Sequence, residues 1–281
     1  MLAIAVAVSL QAQRYFREGS YAPQYAPAVM TDVDFFACRL EYTRVRYEAM
    51  GIGWLTDYPY SERNLMTRLS ELTKTPISRD ARKNPSSWVV HATDPQLFNC
   101  PYLVASDVGT MGLSQQEADK LRQYLLKGGF FWVDDFWGTQ AWEQWSAEIA
   151  KALPPDEFPI RDVPLTDPLF RSQFIVKAVP QITNIQFWRS NGGRTTSERG
   201  ADSPHADLRA IRDDHGRIMV LMTHNTDVAD SWEREGEDPG FFLQFSPNGY
   251  ALGIDVLLHA MSHCRRVPKD PPYVRRPGLA F

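Results

Sequence analysis

The sequence predicts a doubly wound α/β domain. Strand-length apolar runs alternate with segments of helical period, at the spacing of βαβ units. Residues 130–133 (Phe-Phe-Trp-Val) are continuously apolar, as expected of a parallel strand covered on both faces. That run leaves a Gly128-Gly129 turn and ends on Asp134 and Asp135, with a helix-like segment behind them. Open α/β sheets bind ligands beyond the carboxyl ends of their strands, so this pair marks the place for a site.

In chain order, residues 13–33 are rich in Tyr, Pro and Ala and form an extended leader. Residues 34–43 mix aromatic and alternating positions and predict the first strand. A loop carrying Trp54, Asp57, Tyr58 and Pro59 follows. Ser61 is then a cap for a helix with Leu65, Leu69 and Leu72 on one face. A polar loop fills 75–86. Strands are predicted over 87–92 and 102–106, the second ending near Asp107 and Gly109. Ser114-Gln115-Gln116-Glu117 is a capping box, Leu121, Tyr124 and Leu125 recur at helical spacing, and Gly128 supplies the left-handed residue that stops the helix.

Beyond the acid pair, Trp142, Trp145, Ile149 and Leu153 make an apolar helical stripe halted by Pro154-Pro155. Residues 156–206 break the rhythm with Pro159, Pro164, Pro168, Pro180 and Asn191-Gly192-Gly193. They are expected to be an insertion, irregular or antiparallel around 182–188. Segments 208–212 and 218–223 predict a hairpin-like pair joined through Asp213-Asp214-His215-Gly216. The second strand ends at His224-Asn225-Thr226-Asp227, 228–246 is expected to be a loop, and 254–261 lies in a final apolar helix.

A formal net charge of −4 over 281 residues supplies no basic field of the kind nucleic-acid binding needs. Only the tail at 265–281 is locally basic, through Arg265, Arg266, Lys269, Arg275 and Arg276. Residues 2–10 are an uncharged apolar run, shorter than the ~20 residues that span a bilayer as a helix. The run fits the apolar part of a secretory signal, with cleavage near Ala12 and a periplasmic or secreted destination. No other stretch is a transmembrane candidate. Three cysteines, Cys38, Cys100 and Cys264, form neither a disulfide framework nor a zinc motif. One pair could form, and sequence does not choose it.

Several motifs together carry a resemblance. They are Trp54-x-x-Asp57-Tyr58-Pro59, Asn64-Leu65, Leu97-Phe98, Gly128-Gly129-Phe130 with Asp134-Asp135, Asp167-Pro168-Leu169, Gly216-Arg217, Asn225 and Trp232-Glu233. Residues 34–263 resemble the DUF4159 family, a bacterial domain of unknown function, similar in fold to the class I glutamine amidotransferase-like and trehalose-utilisation-like group. The resemblance implies a flavodoxin-like sheet with helices on both faces over 34–264. It also implies a place in the cell envelope beside MoxR-type ATPases or von Willebrand A proteins. An amidotransferase of that group has a cysteine on the strand-to-helix turn. This chain has Asp134 and Asp135 there, and a carboxylate does not perform thiolate acyl transfer. His224 lies where the group often has its histidine.

The candidate catalytic residues are therefore Asp134, Asp135 and His224. Adjacent strand residues point to opposite faces, so one aspartate is expected to enter the crevice while the other caps a helix. The binding candidates are Trp54, Asp57, Asn64, Phe136, Trp137, Asn225, Asp227 and Trp232, with Phe136 and Trp137 placed either to stack on a sugar or to cover the sheet end. His205, His215 and His224 lack metal-ligand spacing, and no cofactor or metal is expected. Two functions follow: a non-catalytic envelope domain that binds a small polar ligand or assembles with a partner, and a hydrolase-like enzyme acting on a small polar or carbohydrate substrate, with metal assistance as an option.

Overall fold

The computed structural model describes residues 21–32 and 34–263. The signal-like run, its cleavage site, the basic tail and Cys264 lie outside these residues. The elements are β1 (Ala37–Glu41), β2 (Thr43–Arg44), α1 (Tyr60–Thr73), β3 (Ser87–His91), β4 (Leu103–Ser106), β5 (Met111–Gly112), α2 (Gln115–Leu126), β6 (Phe131–Asp134), α3 (Gly138–Ala152), β7 (Arg161–Asp162), α4 (Ile185–Asn191), β8 (Asp207–Arg212), β9 (Ile218–His224), α5 (Asp230–Glu233) and α6 (Pro239–His263).

Seven strands form one sheet in the order β3-β1-β4-β6-β9-β8-β7. The first five run parallel, and β8 and β7 add an antiparallel edge. Counting only the parallel strands, the order is 2-1-3-4-5, the flavodoxin-like winding. Its direction reverses between β1 and β4, and there the loops at the carboxyl ends part to leave a crevice.

Strand alternation sorts the core onto two faces. Phe131 and Val133 pack with Leu121, Trp145 and Ile149 of α2 and α3, while Phe130 and Trp132 pack with Leu65 and Leu69 of α1 and Leu257 of α6. The capping box at Ser114 and Glu117 forms as its spacing requires, a device worth about 1 kcal/mol. Gly128 has φ 108° and ends the chain's turn out of α2. Cys38 and Cys100 form a disulfide that ties β1 to the turn before β4.

Four expectations are corrected. Ser61 lies inside α1, whose cap position is Pro59 without a side-chain hydrogen bond, and Leu72 faces solvent. Ser61 instead accepts from the Arg39 guanidinium, so a fixed charge claims its hydroxyl. The stretch 182–188 is not antiparallel: Asn184 caps α4 through the Gln186 amide, and Gly192 closes it. Residues 228–246 are not a loop but hold α5 and the start of α6. The final helix contains 254–261 as expected and begins at Pro239, where Asp238 takes the Gly240 and Phe241 amides. Among the described residues no helix is long and apolar enough to cross a membrane.

Candidate functional site

β4, β6 and β9 are each followed directly by a polar residue in the left-handed region: Asp107 (φ 53°), Asp135 (φ 54°) and Asn225 (φ 58°). Asp57, in the loop before α1, is a fourth (φ 64°). Non-glycine residues adopt this conformation at a cost and hold it where their surroundings enforce it. The turn re-aims each side chain as the strand stops. A buried arginine organises the Asp57 loop. Arg39, on β1, pairs with Glu62 of α1 and donates to Ser61 Oγ (2.7 Å), the Thr56 carbonyl (3.1 Å) and Ser106 Oγ (3.0 Å). Ser106 Oγ in turn donates to Asp57 Oδ2 at 2.8 Å.

The two adjacent aspartates separate as the strand period requires. Asp134 turns to the α1 face, where it accepts from Thr223 Oγ1 (2.5 Å) and from the Ala229 amide (2.9 Å) ahead of α5. Burial raises its carboxyl to about 6, against the pull of those two donors. Asp135 turns toward Asp57 and Asp227. One oxygen from each of the three lies within 4.8 Å of the others. Trp137 Nε1 steadies Asp135 from the side at 2.9 Å, and the Asp230 amide donates to Asp227 Oδ1. Burial pushes Asp135 and Asp227 well above the ordinary carboxylate value. The charges that add to it are other acids: Asp57, Glu198, Asp107 and Asp134 around Asp135, and Asp57, Asp135, Asp230 and Asp134 around Asp227.

A second group, Asp57, Asp230 and Glu233, is equally close. It carries its own cation, because Arg234 Nε lies 2.6 Å from Glu233 Oε2 and 3.4 Å from Asp230 Oδ1. Of the two groups, the first is therefore the better candidate to hold a metal ion. Three carboxylate oxygens suit a hard ion such as Mg²⁺, Mn²⁺ or Ca²⁺, and lack the nitrogen and sulfur donors that favour zinc.

Asp135 also lines a narrow cleft with Glu48, Asp107, Trp137, Asn184, Glu198 and Arg199. The free space in it is about 10 Å³, close to what a single water fills. Burial and the Glu48 charge raise Asp107 to about 7, against the Gly53 amide that donates to it. Burial likewise raises Glu48. Gly51 presses on this pair: a Cβ there would sit 2.5 Å from Asp107 Oδ2.

The other sequence candidates hold the rim in place. His224 Nε2 donates to Gly138 O (3.1 Å), and Nδ1 faces Arg209 (3.4 Å) and Asp207 (3.5 Å), with the ring against Phe136 and Trp142. Burial lowers its proton affinity. Those contacts occupy both ring nitrogens. Asn225 Oδ1 accepts from the Gly138 amide at the start of α3. Asn64 Nδ2 donates to the Trp232 carbonyl, tying α1 to α5. Trp232 packs on Trp132 and Tyr250, and Trp54 on Tyr58. Phe136 is fully buried and Trp137 nearly so. Of the two roles expected of Phe136, covering the sheet end is the one it performs, since a ring without exposed surface cannot stack on a sugar.

Sequence reasoning missed Glu48, Asp107, Glu198 and Arg199. Asp107 carried a usable signal: like Asp135, it stands just past a short apolar run and one polar residue, with a glycine two or three positions on. Glu198 carried none. A family model, Domain of unknown function (DUF4159), matches residues 41–261. No curated protein matches the chain.

Proposed function

The chain belongs to the DUF4159 family, and we propose that it is an exported cell-envelope domain whose crevice binds a hard divalent cation, and through it a small polar, oxygen-rich ligand. The convergence of Asp57, Asp135 and Asp227, three site residues from distant loops, carries this reading. Desolvated carboxylates this close do not all ionise unless a cation or protons neutralise them. With no cysteine at the turn after β6, the amidotransferase reaction has no nucleophile, which favours binding over catalysis. Export is supported by the apolar run at 2–10 and by the Cys38–Cys100 disulfide, a bond suited to oxidising compartments. Envelope partners of the MoxR or von Willebrand A type follow from the family resemblance.

Titrating the full chain with Mn²⁺, Ca²⁺ and Mg²⁺ by calorimetry at neutral pH tests the proposal. One site is expected, with affinity at least about tenfold lower in Asp135→Asn and Asp227→Asn. A saturating ion should raise stability by about 2.7 kcal/mol at a hundredfold excess over Kd. No heat and no stabilisation with any of the three ions would reject it. The second reading, a metal-assisted hydrolase, is favoured by the Asp107–Glu48 pair, whose carboxyl near 7 suits a general base. Through Asp135 and His224 it would require His224 to leave Gly138. Hydrolysis of nitrophenyl esters or glycosides that depends on Mn²⁺ and on Asp107 would establish it over simple binding.

A further inference from the structure

The segment at residues 21–32 lies along the sheet edge and reaches the loop that carries Asp57. Val89 of β3 donates to the Gln24 carbonyl (2.7 Å) and accepts from the Ala26 amide (3.0 Å), so this segment extends the sheet beyond its edge strand. Trp88 Nε1 donates to Asp32 Oδ2 at 2.9 Å. Tyr25 stacks on His91 with ring centres 5.9 Å apart and donates to Glu41 Oε2 at the carboxyl end of β1. From this edge the segment turns toward the crevice. The Gln24 amide donates to the Tyr58 hydroxyl at 2.9 Å, and Tyr21 and Tyr60 share a hydroxyl hydrogen bond of 2.7 Å beneath an edge-to-face ring contact of 5.3 Å.

Tyr58 follows Asp57 directly and is 2% exposed, whereas Gln24 is exposed. Asp57 holds a left-handed backbone, which a non-glycine residue keeps where its neighbours support it. From the sheet side, Arg39 fixes Thr56, and Ser106 fixes the Asp57 carboxylate. On the residue after Asp57, the Tyr58 amide donates to the Leu55 carbonyl, and the Gln24 amide holds the hydroxyl at the other end of the side chain. We infer that residues 21–26 are a positioning strap for the crevice: through Gln24 and Tyr58 they hold Asp57 at the distance from Asp135 and Asp227 that a cation requires. The inference rests on the cation-binding reading for its ligand, but the mechanical link does not.

The test uses the full chain. Gln24→Pro removes the one N–H that reaches Tyr58 and keeps the carbonyl that receives Val89. Tyr58→Phe removes the same hydrogen bond from the other side and leaves the strap untouched. Hydrogen exchange of residues 54–60 should speed up between about 2- and 12-fold in each variant, the span set by the net worth of one hydrogen bond. The double variant should add little, while exchange in β8 and β9 stays as it was. Mn²⁺ affinity should fall by a similar factor in both single variants. Unchanged exchange at 54–60, or acceleration spread evenly over the sheet, would overturn the strap. If the parent protein binds no Mn²⁺, the cation reading fails alone, and the exchange result still decides the strap.

Discussion

Two acidic groups share the Asp57 carboxylate and differ in what balances them. On the α5 side, Arg234 is buried among Asp230, Glu233 and Glu237, and its charge pulls Asp230 back toward the ionised form. On the crevice side, Asp135 and Asp227 are raised by burial and then by their acidic neighbours, and Asp135 keeps a path to the cleft. One group closed its charge account within the chain and became a brace between α1, α5 and α6. The other, under the proposed function, takes a cation from outside. Acid content alone does not mark a site; the balance of charge around each carboxylate does.

The largest expected effect breaks the first half of that comparison. Arg234→Met leaves Asp230 and Glu233 buried without their cation, a change that costs about 3–5 kcal/mol when one partner of a buried pair is lost. Urea unfolding measures it. A loss under about 1 kcal/mol would mean that the two groups are alike, and that Arg234 does not distinguish them.

A change of pH sharpens the second half. The Asp107 carboxyl stands at about 7 when folded, against 3.8 as the ordinary value. A group raised in the fold stabilises it fully below the unfolded value, and that contribution is lost as pH rises through the folded one. Asp135 and Asp227 are shifted in the same direction. The metal-free protein should therefore melt at progressively lower temperature from pH 3.8 to about 7, apart from any general acid effect on its other carboxylates. Asp107→Asn should flatten the upper part of that slope, and a saturating divalent cation should do so too. A melting temperature that rises across this window, unaltered by Asp107→Asn, would contradict the description of the crevice.

The smallest effect concerns the back of the rim. His224→Gln keeps one hydrogen-bonding group for Gly138 but loses the ring contacts with Phe136 and Trp142. It should cost about 1–2 kcal/mol and leave Mn²⁺ affinity unchanged. A tenfold fall in affinity at intact stability would move His224 into the crevice group and revive the hydrolase reading.

Local chemistry made much of the fold legible. The α2 boundaries were readable because a capping box and a left-handed glycine act within a few residues of one another. Segment 130–133 announced a two-sided strand, and its alternation correctly divided Asp134 from Asp135. The α4 helix was not read, although Asn184 and Gly192 bracket it, because proline and glycine around it dominate the local pattern. The onset of α6 was hidden likewise, by Pro239 and an acidic run before it.

The residue types at the site were also present in the sequence: Asp57, Asp135 and Asp227 are singled out by their motifs and strand ends. Their meeting was decided by strand order alone, since each comes from a different loop and only the reversal between β1 and β4 folds those loops over one crevice. Tertiary structure decided equally that Arg234 neutralises Asp230 and that no comparable cation dominates Asp227. It also decided that His224 spends its ring on the start of α3. The reason is physical. A backbone preference is set by neighbours along the chain, whereas the charge state of a carboxylate is set by burial and by the charges around it in space, and those neighbours exist only once the sheet has formed.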